Sequence, residues 1–255
     1  MQRFPVAVVS AMHDELRALL ALLRNRQTTR LAGRDFHQGE ILGHPVVLVL
    51  SGIGKVAATT TAVLLMHEFN ARELVFTGVA GGLRRGVKVG DVVVARQLLQ
   101  HDMDASPLFP RYEVPLTGRS RFETDAGLAD ALAAAAGRCL DRVDELIAPG
   151  HLSALGIDNA LLHQGLVVSG DRFVASAAHS HELRTLLPDA LAVEMEGAAL
   201  AQVCADFERP FAVIRTISDR ADDSAHVDFT RFTAEVASVY AAAIIEDWLR
   251  QMPPA

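Results

Sequence analysis

The segment 190–201 reads Ala190-Leu191-Ala192-Val193-Glu194-Met195-Glu196-Gly197-Ala198-Ala199-Leu200-Ala201. Its first four residues form a short apolar run typical of a buried strand, and the residues after Glu196 begin a helical pattern. Two carboxylates, Glu194 and Glu196, flank Met195 at this junction. Because ligands of open α/β sheets bind at the carboxyl ends of strands, the junction predicts a binding edge. The alternative interpretation is that either glutamate only stabilises the N-terminus of the next helix.

A second edge of this kind follows further along the chain, where the apolar run 211–217 ends in Ser218-Asp219. Apolar runs rich in Val and Ile alternate with helical patterns through the whole sequence, which predicts an α/β fold. The predicted strands are 4–10, 34–40, 46–51, 74–77, 91–95, 162–169, 191–193 and 211–217, with 34–40 pairing with 46–51 across Gly43-His44-Pro45. The predicted helices are 14–23, 55–69, 128–140, 177–187, 197–207 and 230–250. The segment 100–124 is predicted to be a long loop, and 141–159 has no assignment.

Glycine-rich turns are predicted at the ends of three strands. Gly52-Ile53-Gly54-Lys55-Val56-Ala57 formally matches a dinucleotide fingerprint, but the acid that should end the next strand stands at its start, as Glu73. A triphosphate-binding loop is disfavoured because Val56 replaces the hydroxyl residue that would hold Mg²⁺. Thr77-Gly78-Val79-Ala80-Gly81-Gly82 is predicted to be a turn whose N–H groups can face a ligand. In Ser169-Gly170-Asp171-Arg172-Phe173-Val174, the Phe173 ring either stacks on a flat ligand or belongs to the core.

Length and composition restrict the class of protein. The 255 residues are predicted to form a single domain, residues 1–255. The net charge of −7 argues against nucleic acid or an anionic membrane as the main partner. Cys139 and Cys204 have no metal or disulfide spacing, and no apolar run reaches the length of about 20 residues that crosses a bilayer. We therefore expect buried thiols and a cytoplasmic protein.

Six motifs together resemble those of 5′-methylthioadenosine/S-adenosylhomocysteine nucleosidases, in the same order and spacing. They are Ser10-Ala11-Met12-His13-Asp14-Glu15, Ser51-Gly52-Ile53-Gly54-Lys55-Val56-Ala57, Thr77-Gly78-Val79-Ala80-Gly81-Gly82, Ser169-Gly170-Asp171-Arg172-Phe173-Val174, Val193-Glu194-Met195-Glu196 and Ile217-Ser218-Asp219. The resemblance implies the nucleoside phosphorylase-like fold, a three-layer α/β/α sandwich with a mixed, barrel-like central sheet. It implies irreversible hydrolysis of the N-glycosidic bond, which releases adenine plus methylthioribose or S-ribosylhomocysteine and serves methionine salvage.

The resemblance also implies a role for each matching residue. Asp219 would protonate adenine N7, Ser218 would orient Asp219, and Glu15 would activate water. Glu196 would hold the ribose hydroxyls, with Met195 packed on the sugar and Glu194 close by. Phe173 would stack on adenine while the Val174 backbone meets its edge. Other positions that would line the pocket are Arg215, Met12, Ile53, Ala80, Gly81 and Phe229. The chemistry is consistent with these roles, since glycosidic hydrolysis needs an acid on the leaving group and a base on water.

Within the resemblance, the nucleophile is expected to be water. Phosphorylases of the superfamily carry an arginine on the strand before the second glycine turn and a serine inside it, whereas this chain has Phe76 and Val79 there. The loop 100–109 corresponds to a segment that crosses a homodimer and closes the neighbouring alkylthio pocket with Leu108 or Phe109. No cofactor or metal is expected, although His101-Asp102-Met103-Asp104 could be read as metal ligands. The open alternatives are a phosphorylase, a hydrolase of 6-amino-6-deoxyfutalosine in menaquinone synthesis, and a non-catalytic purine-binding protein.

Overall fold

The computed structural model describes residues 4–148, 150–221 and 229–253, with side chains from 231 in the last range. The strands are β1 Val6–Ser10, β2 Arg24–Leu31, β3 Arg34–Ile41, β4 His44–Leu50, β5 Glu73–Gly82, β6 Val92–Gln100, β7 Phe122–Glu123, β8 Leu162–Ser169, β9 Ala190–Glu194 and β10 Phe211–Asp219. The helices are α1 His13–Leu22, α2 Lys55–His67, α3 Ala126–Leu140, α4 Val143–Leu146, α5 His151–Ala154, α6 Ala177–Leu186, α7 Gly197–Asp206, α8 Phe229–Phe232 and α9 Ser238–Gln251, with a π-helical segment Thr233–Ala237 between the last two.

The strands form one mixed sheet that closes on itself in its middle. The pairings run β5–β10–β6–β8–β9 and return from β9 to β5, while β1, β4, β3 and β2 extend the sheet outward from β5. The β1–β4, β1–β5, β5–β10, β6–β8 and β8–β9 pairs are parallel, and β6–β10, β5–β9, β2–β3 and β3–β4 are antiparallel. The predicted mixed, barrel-like sheet is therefore confirmed.

Helices cover both faces of this sheet. In β1, Val6 and Val8 belong to a core cluster with α1, α3 and α9, whereas Ala7 and Val9 belong to a cluster with α2 and α7. Successive strand residues point to opposite faces, so one strand supplies both cores. This arrangement is the predicted α/β/α sandwich.

Several predicted elements differ from the structure. The 77–82 segment is not a turn at a strand end, because β5 continues to Gly82 through pairing with β10 and β9. The edge strand β2 was not predicted, because it is almost fully exposed and is polar except for Leu31, so it lacks an apolar pattern. The unassigned 141–159 segment contains the short helices α4 and α5. The pairing of β3 with β4 follows the prediction. Within the described ranges, every helix is too short or too polar to cross a membrane.

Candidate active site

A cavity of about 360 Å³ opens where several strands end at one edge of the sheet. Strand register brings its walls together, since Gly81 of β5 lies opposite Asp219 of β10 and opposite Val193 of β9. The two edges recognised in the sequence are therefore neighbours across β5. The cavity is lined by Ala11, Met12, Ile53, Val79, Ala80, Gly81, Arg172, Phe173, Val174, Val193, Glu194, Met195, Glu196, Ser218 and Asp219.

Glu194 is held by a dense set of donors at the start of α7. Its carboxylate accepts hydrogen bonds from the Gly197 amide at 2.8 and 3.0 Å and from the Glu196 amide at 3.2 Å. It also accepts from the Ser169 hydroxyl and from Arg215, whose Nη2 lies 2.5 Å from Oε2. Both members of this ion pair are buried. Glu194 thus stabilises the helix N-terminus, as the alternative interpretation proposed, while it also contributes to the cavity wall.

Arg215 lies beneath the cavity and does not line it, contrary to the prediction. Its side chain is 1 % exposed, and its guanidinium carbon stands 4.2 Å from the centroid of the Phe76 ring. The physical cause is the ion pair with Glu194, which draws the guanidinium into the protein. A Cβ built on Gly78 would lie 2.7 Å from Arg215 Nη1, so a glycine is needed there for the arginine to pack.

Glu196 projects into the cavity from the N-cap position of α7. Its Oε1 accepts a hydrogen bond of 2.7 Å from the Gly54 amide, where the backbone has a φ of +96° that favours glycine. Burial raises the pKa of Glu196 to about 7, the charge of Glu194 adds to the rise, and the charge of Arg215 opposes it. This carboxyl can therefore change its protonation state near neutral pH.

Glu15 lies in the first turn of α1, three residues after Met12. It is fully buried, and neither carboxyl oxygen has a hydrogen-bond partner of normal geometry in the described residues. Desolvation raises its pKa to about 7, with Arg215 and the Met12 backbone opposing the rise. The side chain is not part of the cavity lining, although Met12 of the same segment is.

Asp219 ends β10 and faces the cavity beside Gly81. Its Oδ2 accepts a hydrogen bond of 2.7 Å from the Ser218 hydroxyl, and its Oδ1 accepts one of 2.7 Å from the Ala221 amide. A Cβ on Gly81 would approach Oδ1 to 2.9 Å. Glycine at position 81 therefore gives this carboxyl room at the cavity wall.

A network of polar contacts fixes the loop that carries Phe173. Asp102 accepts from Lys55 Nζ at 2.7 Å and from the Asp171 amide at 2.9 Å, and Asp171 accepts from the Lys55 amide at 2.7 Å. Asp102 thus ties Lys55 to the backbone of the loop that carries Phe173. Phe173 itself lines the cavity with 51 % of its surface exposed, so it is a rim residue and not a core residue.

Comparison with known proteins shows the family to which the chain belongs. Residues 5–250 match the model of the phosphorylase superfamily. The 5′-methylthioadenosine/S-adenosylhomocysteine nucleosidase of Neisseria meningitidis, solved in complex with methylthio-immucillin-A, is 35% identical over 98% of this chain and 100% of its own, with a TM-score of 0.84. The corresponding nucleosidase of Colwellia psychrerythraea 34H, solved in complex with adenine, is 32% identical over 99% of this chain and 97% of its own, with a TM-score of 0.85. The chain belongs to the 5′-methylthioadenosine/S-adenosylhomocysteine nucleosidase family.

The S-adenosylhomocysteine nucleosidase of Streptococcus pyogenes, solved with 5-methylthiotubericidin, is a further member, 30% identical over 99% of both chains with a TM-score of 0.84. Membership of the nucleosidase family confirms the resemblance seen in the six motifs. In the present chain, each of these motifs contributes at least one residue to the cavity lining.

The remaining predicted nucleosidase residues lie elsewhere. Leu108 is 84% exposed and Phe109 is half-buried, and neither lines the cavity of the single chain. The side chain of Phe229 lies outside the described residues. Four residues line the cavity without having been predicted as site residues, namely Ala11, Val79, Arg172 and Val193. All four belong to the quoted motifs, so the predicted site residues beside them were the signal that could have found them.

Proposed function

We propose that the chain hydrolyses the N-glycosidic bond of 5′-methylthioadenosine and S-adenosylhomocysteine, releasing adenine. The observation that carries the proposal is that Asp219, Glu196 and Phe173, which come from three separate segments, line one cavity. Such a cavity can offer an acid, a hydrogen-bond acceptor and an aromatic face to a single nucleoside. The solved members of the family with bound nucleoside analogues or adenine support this assignment.

Asp219 is assigned as the general acid. In the proposed step its proton passes to adenine N7 while the C1′–N9 bond breaks and the bond electrons stay with adenine. Its two oxygens are fixed by the Ser218 hydroxyl and the Ala221 amide, so the carboxyl has a defined orientation toward the cavity. Positioned acid catalysis of this type contributes about 10²- to 10⁴-fold to the rate.

Glu196 and Met195 are assigned to the ribose. The Gly54 amide holds Oε1 of Glu196, which fixes the carboxylate where it can accept hydrogen bonds from sugar hydroxyls. An ionised carboxylate at this place also stabilises the positive charge that develops on the sugar as the glycosidic bond breaks. Phe173 is assigned to stacking on adenine, and Val174 to backbone contact with the adenine edge.

Glu15 is assigned as the base that takes a proton from water as the water oxygen bonds to C1′. A base works best when its pKa lies near the working pH, and burial brings the pKa of Glu15 to about 7. Water is favoured over phosphate because the Arg215 guanidinium is already neutralised by Glu194 and is 1% exposed. Phe76 and Val79 supply no donor side chain for a phosphate dianion.

An adenine-release assay tests this proposal against the alternatives. Methylthioadenosine, adenosylhomocysteine, aminodeoxyfutalosine and inosine are each incubated with the protein in phosphate-free buffer and again with added phosphate. We expect release from the first two substrates without phosphate. A requirement for phosphate would establish a phosphorylase, preferential cleavage of aminodeoxyfutalosine would establish a futalosine hydrolase, and binding without cleavage would establish a purine-binding protein.

We further propose that the chain acts as a cytoplasmic homodimer in methionine salvage. Exposed apolar side chains lie close to the cavity mouth or on the 100–109 loop: Ile53 is 62%, Val56 77% and Leu108 84% exposed. Exposed apolar groups that cluster near a site mark interaction surfaces. The free, buried thiols of Cys139 and Cys204 support a reducing compartment.

A further inference from the structure

A second concave site lies between the segment joining β5 to β6 and helix α6, and it is separate from the nucleoside cavity. Its volume is about 400 Å³, and the two cavities share no lining residue. The side chains with polar heads on its wall are those of Arg84, Arg85, Lys88, Ser180, Arg184 and Arg220. They come from a loop, a helix and the residue after β10, so the fold gathers them from distant parts of the sequence.

The charge of this site is opposite to that of the whole protein. The chain carries a net charge of −7, yet the described residues that line this cavity include five cationic side chains and no acidic one. None of the five cations forms an ion pair within the described residues. Other surface arginines of the same chain, such as Arg96, Arg121 and Arg138, each face a carboxylate. All five cationic residues are exposed, so water and salt screen part of their mutual repulsion, and a bound anion would relieve the rest.

Ser180 provides an independent observation at the same wall. The residue is 1% exposed, and its hydroxyl oxygen has no hydrogen-bond partner in the described residues. Buried hydroxyl groups nearly always have a partner, so this one has an unused donor in the wall of a basic cavity. Ser180 and Arg184 stand four residues apart on α6 and therefore occupy the same helix face.

We propose that this cavity, which we call the basic pocket, binds the phosphate groups of a small polyphosphate-bearing ligand. Guanidinium groups match phosphate oxygens with paired N–H donors, and the serine hydroxyl adds one further donor. Five cations balance the charge of a chain of two or three phosphates better than that of a single orthophosphate. A volume of about 400 Å³ lies within the usual range for small-molecule sites.

The basic pocket adjoins the strands that carry the nucleoside cavity. Arg220 directly follows Asp219, and the wall residues Gly82 and Leu83 directly follow Gly81. The two ligands are nevertheless expected to bind together, because the cavities are lined by different residues. The proposal does not depend on the nucleosidase reaction, and binding is measured without turnover.

Isothermal titration of the full chain with inorganic tripolyphosphate in low-salt buffer tests the site, in the presence of saturating adenine to occupy the nucleoside cavity. We expect one tripolyphosphate per chain and weaker binding of orthophosphate. Arg84→Gln/Arg184→Gln should weaken binding by about tenfold or more, and Ser180→Ala should weaken it about threefold or more, because hydrogen bonds to charged groups are lost.

Arg24→Gln is the matched control, since Arg24 is an exposed arginine on the edge strand β2 that forms no ion pair with any described residue. It should leave the affinity unchanged within about twofold. Thermal melting of each unliganded variant verifies that it is folded. Absence of tripolyphosphate binding, equal weakening in Arg24→Gln, or unchanged affinity in Ser180→Ala would overturn the proposal.

Discussion

At the scale of single residues, the carboxylates around the nucleoside cavity differ in their partners. Glu194 is matched with Arg215 and with backbone amides, and Asp219 is fixed by Ser218 and Ala221. Glu196 has the Gly54 amide, whereas Glu15 is fully buried without a hydrogen-bond partner of normal geometry in the described part of the chain. These differences separate a structural carboxylate, Glu194, from those to which we assign chemistry.

The raised pKa of Glu15 predicts a pH-dependent stability. Its pKa is about 7 in the folded chain against an ordinary value of 4.5, so between these pH values the folded protein holds a proton that the unfolded chain has lost. The free energy of unfolding should therefore fall as the pH rises from about 4.5 to about 7. Glu15→Gln cannot ionise, and we expect it to be more stable than the parent by roughly 3 kcal/mol at pH 8.

Urea denaturation of both proteins at pH 5 and pH 8 measures this effect. Glu182→Gln, at an exposed position on α6, is the control and should change the free energy of unfolding by less than about 0.5 kcal/mol. If Glu15→Gln loses as much stability as the parent between the two pH values, Glu15 is not the buried proton carrier described here.

At the scale of elements, the strands that end at the cavity were largely recognised from the sequence, and the contacts between them were not. Apolar runs indicate strands such as Val6–Ser10, whose five residues are all buried, because a strand covered on both faces must be apolar on both. The Arg215–Glu194 ion pair could not be predicted from the sequence. It forms because β9 and β10 both pair with β5, which brings Glu194 of β9 close to Arg215 of β10. The extension of β5 through Gly78 and Gly81 was likewise hidden, because glycine usually indicates a turn.

Substitution of Gly78 tests the close packing of β5 against the Arg215 side chain. In Gly78→Ala the added Cβ would meet Arg215 Nη1 at 2.7 Å and displace the buried guanidinium from Glu194. We expect a loss of roughly 1–3 kcal/mol in the free energy of unfolding, measured by urea denaturation. Gly137→Ala in α3 meets no atom within 4 Å and should instead be neutral or stabilising by up to about 1 kcal/mol. Equal effects of the two substitutions would contradict the role given to Gly78.

At the scale of the whole molecule, the proposed homodimer makes each site depend on two chains. Asp219→Asn removes the proposed acid of a chain's own site, whereas in the proposed dimer Leu108→Asp/Phe109→Asp would damage the site of the neighbouring chain. Each variant alone should be nearly inactive. In a co-expressed mixture, about half of the dimers combine both variants and keep one intact site, so activity should return to about a quarter of the parent value.

The matched control for this mixing experiment is Asp219→Asn with Glu196→Gln. Both changes damage the chain's own cavity, so no site in the mixed dimer is intact and no activity should return. Recovery in the control, or none in the loop experiment, would contradict a loop that crosses the dimer. The sequence suggested a homodimer only through its resemblance to the nucleosidase family, because the residue pattern of an exposed loop does not indicate what the loop contacts.

The most direct test of the proposed function is adenine release from methylthioadenosine in phosphate-free buffer, with the parent and Asp219→Asn compared. Asn preserves the size of the side chain but has no acidic proton, so we expect turnover to fall by about 10³-fold while the Kd for the nucleoside changes by less than about threefold. Asp206→Asn, at an exposed position at the end of α7, should behave as the parent. Near-parental turnover of Asp219→Asn, or no adenine release by the parent, would contradict the assignment of Asp219 as the acid of an N-glycosidic hydrolase.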